Sequence, residues 1–269
     1  MTLPKNLILV RHGQSEGNIA TKASEQGDNS FFTNDFLNRH SREFRLTDLG
    51  IKQAQSAASW LRDNITFPID RYLVSDYIRA KETAAHLGLQ SALWSVDVQL
   101  RERDMALMDN LPRDVRDKLF PLEQTQYKFS PFLSVPAGGG ESFAALCLRI
   151  KADFLDSIAR NNPNGSVIVV CHGHVMRAIQ FKIEGLGHDD FLRLEKSEDT
   201  ADKIRNCQII WYSRHDPENR LVTNTRMLTV RSVCPWDKEG DLGWKYIERK
   251  KFTNQDLFDE VNRYTRHAS

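Results

Sequence analysis

Two apolar runs of the chain break off at the same dipeptide. Leu7, Ile8, Leu9 and Val10 lead through Arg11 into His12-Gly13, and Val167, Ile168, Val169 and Val170 lead through Cys171 into His172-Gly173. An imidazole at a strand end can act as a nucleophile or carry a proton near neutral pH. The glycine beside it lets a ligand approach the backbone closely. Either histidine alone would read as a structural residue; the recurrence of the pattern at two strand ends points to a site. Gln14, Ser15 and Asn18 follow His12 and offer hydrogen-bond donors to anionic oxygens.

The elements that must position these residues are legible in outline. Residues 7–10 and 167–170 are continuously apolar rather than alternating, the pattern of central parallel strands covered on both faces. Ligands of open parallel sheets bind beyond the carboxyl ends of the strands, which places His12 and His172 on the active edge. Residues 72–74, 208–212 and 227–233 are further strand candidates. Thr47 is a candidate N-cap for a helix carrying Ile51, Ala54, Ala58 and Leu61 on one face. A second helix carries Ala80, Ala84 and Leu87 and ends near Gly88. Pro112, Pro121, Pro131 and Pro136 mark a region of loop and short helices, and Gly138-Gly139-Gly140 reads as a hinge. A strong helix then presents Phe143, Leu146, Ile150, Phe154 and Ile158 on one face and stops at residues 161–165. Residues 176–183 are helical. Strands alternating with helices predict an α/β fold, a three-layer α/β/α sandwich with a mostly parallel central sheet.

The chain of 269 residues reads as a single domain over residues 1–269. It carries a long polar loop at about 21–45 and a packed C-terminal extension from about 236. Formal net charge is +1, so no global field recruits nucleic acid or a membrane. Cys147, Cys171, Cys207 and Cys234 form no C-x-x-C pair, which suits a reducing, cytoplasmic setting. No apolar stretch approaches the length of a signal core or a membrane span.

The ordered motifs resemble those of the histidine phosphatase superfamily, the phosphoglycerate mutase-like proteins. Leu9-Val10-Arg11-His12-Gly13-Gln14-Ser15-Glu16-Gly17-Asn18 is similar to the family signature. Leu46-Thr47-Asp48-Leu49-Gly50 and Gln53-Ala54 follow, then Ser75-Asp76-Tyr77-Ile78-Arg79-Ala80 with Glu82-Thr83-Ala84. Leu100-Arg101-Glu102-Arg103, Gly140-Glu141-Ser142 and Val169-Val170-Cys171-His172-Gly173 complete the series, and Asn206-Cys207 also fits.

The resemblance implies a phosphomonoesterase in which His12 becomes phosphorylated. Arg11 and Arg79 would clamp the phosphoryl oxygens, His172 would donate to them, and Glu102 would be the general acid and base. Gly13, Gln14, Ser15, Asn18 and Gly173 would complete substrate binding together with Arg11 and Arg79. Neither a metal nor another cofactor is implied. The substrate would be a phosphorylated small molecule or phosphoprotein, and the partners would include no nucleic acid and no membrane; a homodimer is compatible with the sequence.

Several alternatives stand beside this reading. A phosphoglycerate-type mutase would differ in passing the phosphoryl group to a second hydroxyl rather than to water. A catalytically weak module would bind phosphorylated ligands only. Asp104 or Glu141 could replace Glu102 as the acid, and Glu141 could instead cap a helix. His40, Arg42, Arg45, Arg113 and Arg116 could reach the rest of a substrate or simply be solvated. A zinc site from Cys171, His172 and His174 is disfavoured because the residues are adjacent. Ala106 stands where related phosphatases usually carry glycine, which leaves the local turn open.

Overall fold

Successive side chains of a strand point to opposite faces. Leu7 and Leu9 therefore face one side of their strand and Ile8 and Val10 the other, and all four are fully buried. Such a strand needs cover on both sides. The computed structural model, which describes residues 2–216, 225–237 and 239–267, supplies it.

In chain order the first half contains β1 (Asn6–Arg11), α1 (Glu16–Glu25), α2 (Asn34–Asn38), α3 (Asp48–Asn64), β2 (Arg71–Val74), α4 (Ile78–Leu87) and β3 (Trp94–Val96). Then come α5 (Arg113–Leu119), α6 (Pro121–Phe129), α7 (Phe143–Arg149) and α8 (Asp156–Asn161), the last two joined by a π-helical stretch over Ile150–Leu155. The remainder is β4 (Ser166–Cys171), α9 (Gly173–Glu184), α10 (His188–Lys196), β5 (Ile209–Ser213), β6 (Thr229–Val233), β7 (Asp241–Tyr246) and α11 (Asn254–Val261).

The strands form one sheet in the order β3-β2-β4-β1-β5-β6-β7. Its first four members are mutually parallel, and β5, β6 and β7 are antiparallel additions beside β1. The fold is thus α/β with a parallel centre. One buried cluster joins Leu7, Leu9, Val167 and Val169 to Phe143, Phe154 and Ile179; the other joins Ile8, Val10, Ile168 and Val170 to Ala54, Leu61 and Ala84. The two helical layers lie on opposite faces of the sheet.

Three sequence expectations are corrected. The 21–45 segment contains the end of α1, all of α2 and a 3₁₀ turn. It orders around its own apolar group, Ala20, Phe36 and Phe44 with Phe32 against them, and Thr33 caps α2. The polar residues between these aromatics hid that core. The glycine hinge is a turn in which Gly140 N–H donates to Pro136 O at 3.2 Å; Gly138 and Gly139 take positive φ of 84° and 86°, a conformation that suits glycine. The extension is only partly packed. Its β7 pairs with β6 and sets Trp244 against Trp211, centroids 4.9 Å apart, whereas residues 250–267 are exposed throughout. Among the described residues no helix is long and apolar enough to cross a membrane.

Candidate active site

Register creates the site. β1 and β4 are parallel neighbours with Arg11 opposite Cys171, so the next residues, His12 and His172, leave the sheet edge side by side. His12 N–H donates to Cys171 O at 3.0 Å. The two imidazole rings lie 5.1 Å apart at 62°. Both histidines are buried, at 2% and 0% exposure.

His12 is held in one tautomer. Its Nδ1 lies 2.7 Å from Gly13 O, and a carbonyl only accepts, so Nδ1 carries the proton. Nε2 is then a lone pair, and it accepts from Arg79 Nε at 3.2 Å. Burial, then the charges of Arg79 and Arg11, hold the His12 pKa well below 6.5, against a smaller opposing effect of the Gly13 hydrogen bond. The ring is neutral at pH 7. From the other side, Asn206 Nδ2 donates to His12 O at 3.1 Å and Cys207 N–H to the same oxygen at 3.2 Å.

The arginines approach from two elements. Arg11 ends β1 and donates from Nη1 to Ile204 O at 2.5 Å, while its buried Nε has no hydrogen-bond partner among the described residues. Arg79 lies in the first turn of α4, donates from Nη1 to Ser41 O at 2.7 Å, and stands over the Tyr77 ring at 4.7 Å. Burial lowers both pKa values and Glu102 works against it; guanidinium starts so high that both remain charged.

His172 is the N-cap residue of α9 without a side-chain capping bond. Its Nε2 lies 2.8 Å from Ser75 Oγ, and its buried Nδ1 has no hydrogen-bond partner among the described residues. The Tyr77 ring packs against it at 4.9 Å. Burial, Arg79 and His12, in that order, hold its pKa well below 6.5. The dipole at the start of α9 favours an anion here.

Glu102 sits opposite. One carboxylate oxygen accepts from Arg103 N–H at 2.9 Å, the other from His174 N–H at 3.5 Å. Arg11, His12, Ser15, Asn18, Arg79, Glu102 and Gly173 all line one cavity of about 880 Å³; the fully buried His172 does not line it, and its ring lies 5.1 Å from that of His12. His40, Arg42 and Arg116 also reach it, whereas Arg45 pairs with Glu82 and Arg113 with Asp117 away from it.

Other candidates fall elsewhere. Gly13 and Gln14 do not line the cavity. A Cβ on Gly13 would come within 2.4 Å of Gly50 O, so this glycine permits the close approach of α3. Gln14 Oε1 accepts from Thr47 Oγ1 at 2.9 Å, and Gln14 N–H donates to Gln53 at 2.9 Å. Glu141 is held by two bonds from Arg149, 2.8 and 2.7 Å, so it is not free to serve as the acid. Cys171 is a fully buried core residue whose thiol pKa burial pushes up. Ala106 keeps the turn with φ +44°.

The site is a pair of buried histidines side by side at the edge of the parallel part of an α/β sheet. The chain matches the family model of the histidine phosphatase superfamily (branch 1) over residues 7–223, and it belongs to that superfamily. It is 31% identical over 194 residues to a 2,3-bisphosphoglycerate-dependent phosphoglycerate mutase of Chelativorans sp. (strain BNC1), covering 70% of this chain and 86% of the mutase. In structure it is similar to the alpha-ribazole phosphatase of Shigella flexneri, with TM-score 0.61, 17% identity, and 82% and 95% of the two chains covered. It is also similar to mycobacterial glucosyl-3-phosphoglycerate phosphatase, with TM-score 0.58, 21% identity, and 83% and 96% covered. At those identities the structural likeness speaks for the fold.

Proposed function

We propose that the chain is a phosphomonoesterase that works through a phosphohistidine on His12. The observation that carries this reading is the fixed tautomer of a buried, neutral His12, whose Nε2 lone pair accepts from the charged Arg79. Nε2 attacks phosphorus, the ester P–O bond breaks, and Glu102 supplies the proton to the departing oxygen. Water then attacks the phosphohistidine as Glu102 takes its proton, the P–N bond breaks, and inorganic phosphate leaves with His12 neutral again. Splitting the reaction in this way replaces one high barrier with two lower ones.

Arg11 and Arg79 clamp the equatorial oxygens, since a guanidinium pairs bidentately with phosphate. The unpartnered buried atoms Arg11 Nε and His172 Nδ1 are polar groups that a phosphoryl oxygen satisfies. In a site shielded from water such fixed charges and donors stabilise the transition state strongly. Ser15 and Asn18 flank the same oxygens.

A mutase is the second reading, favoured by the likeness to the Chelativorans enzyme. It uses the same phosphohistidine and differs only in the acceptor.

Phosphate release from an aryl phosphate radiolabelled on phosphorus, together with quenching in alkaline detergent to trap the labelled protein, tests the proposal. Wild type should release phosphate and carry an acid-labile, alkali-stable label; His12→Ala should do neither. Turnover by a folded His12→Ala variant would remove the claim. A label without phosphate release, discharged by an added phosphoglycerate, would establish the mutase.

A further inference from the structure

The cavity is much larger than a phosphoryl group requires. At about 880 Å³ it falls within the roughly 300–1,000 Å³ of pockets that take drug-sized ligands. The rest of the substrate must fill most of it.

The charges of the cavity nearly cancel. Among the described residues seven arginines and five carboxylates line it, an excess of two positive charges with the histidines neutral. A phosphate monoester is a dianion near neutral pH, so a single phosphoryl group balances that excess. A second anionic group would enter beside Asp104, Asp109 and Glu195 and leave the lining net negative. A charge removed from water without a matching partner is costly.

Apolar side chains supply part of the remaining wall, which polar and charged groups share. Tyr77 adjoins the phosphoryl site, packed between His172 and Arg79. Phe32, Phe36 and Phe44 form a ladder of rings, with centroids 5.2 and 4.4 Å apart, and all three reach the cavity. Leu37, 40% exposed, lines it beside them.

We infer that the substrate is a monophosphate ester whose remainder is bulky and uncharged, with an apolar part seated against Tyr77, Phe32 and Leu37, the last two backed by the buried rings of Phe36 and Phe44. The inference rests on the phosphatase reading of His12 and narrows it. Affinity for the remainder comes from removing apolar surface from water, while the phosphoryl group alone satisfies the charge of the site.

Steady-state hydrolysis of 1-naphthyl phosphate, phenyl phosphate and 3-phosphoglycerate by the full chain tests it. The two aryl esters have leaving groups of similar acidity, so their ratio reads size. kcat/KM should favour naphthyl over phenyl by about tenfold, with 3-phosphoglycerate below both. Leu37→Ser, at an exposed position that tolerates the change, and Phe32→Ala should each cut the naphthyl-to-phenyl ratio severalfold. An unchanged ratio in both folded variants, or a preference for 3-phosphoglycerate, overturns the inference. Calorimetric titration of His12→Ala with 1-naphthyl phosphate and with 3-phosphoglycerate separates the two proposals. Tighter naphthyl phosphate binding without any wild-type turnover supports the ligand class and sinks the phosphatase. Tighter 3-phosphoglycerate binding overturns the ligand class whether or not the chain is a phosphatase.

Discussion

Arg79 Nε donates to His12 Nε2 across 3.2 Å, so the arginine proposed to clamp the phosphoryl group also holds the lone pair proposed to attack it. The same guanidinium is tied at Nη1 to Ser41 O, 2.7 Å away, which anchors it to the segment between α2 and α3. Substrate binding must exchange the His12 bond for a phosphoryl oxygen. Until then Arg79 disfavours protonation of the ring by its charge and keeps Nε2 aimed at the site.

This relationship sets a pH dependence. His12 and His172 have folded-state pKa values well below 6.5, chiefly because both are buried. Between those values and the unfolded value of about 6.5, the unfolded chain binds more protons than the folded one. Stability is therefore intact above 6.5 and declines as the pH falls below it. Neutral His12 should likewise keep kcat/KM from losing its nucleophile until the pH is clearly below 6.5. A kcat/KM profile with denaturant melts from pH 4.5 to 8 checks both; an acid limb centred at or above 6.5 would falsify the account of His12.

Ser75 should position His172. Ser75 Oγ accepts from Tyr77 N–H at 3.4 Å and lies 2.8 Å from His172 Nε2, with its hydroxyl hydrogen and second lone pair both available. A donor role for His172 Nδ1 toward the phosphoryl group requires the ring proton on Nδ1, the tautomer in which Nε2 accepts from the Ser75 hydroxyl. Ser75→Ala should cost about 1–2 kcal/mol of transition-state stabilisation, roughly five- to thirtyfold in kcat, with KM little changed. Nitrogen NMR of His172 should show loss of the single Nδ1–H tautomer, with partial recovery in Ser75→Thr. An unaltered tautomer in Ser75→Ala would assign the serine a packing role only.

Ala106 should be a stability defect. Its φ of +44° costs a non-glycine residue about 1–2 kcal/mol. Glycine would remove that cost and add about 0.4–1 kcal/mol of unfolded-state entropy. Ala106→Gly should therefore stabilise the chain by about 0.5 kcal/mol, or about 1–2 °C in melting temperature for a domain of this size. A lower melting temperature would show that neighbouring contacts already relieve the strain.

Local patterns carried much of this molecule. The unbroken apolar runs at 7–10 and 167–170 marked doubly covered strands, and β1 and β4 follow them. Thr47 and Gly88 marked helix ends, where they cap α3 and α4. These features depend on side-chain period and backbone preference, which neighbouring residues settle among themselves. The 21–45 segment resisted the same reading because its aromatics Phe32, Phe36 and Phe44 find one another through short helices rather than through a regular period.

Other relationships exist only once distant segments meet. The order and register of β1 and β4 bring His12 beside His172, separated by 160 residues of chain. Two side-chain roles turned on partners from elsewhere. Gln14 is drawn to Thr47 and the unforeseen Ser75 to His172. Period and composition could name the chemistry that the residues allow. Which lone pair faces which guanidinium follows from long-range packing, because a hydrogen bond depends on ångström-scale distance and direction that no local sequence window contains.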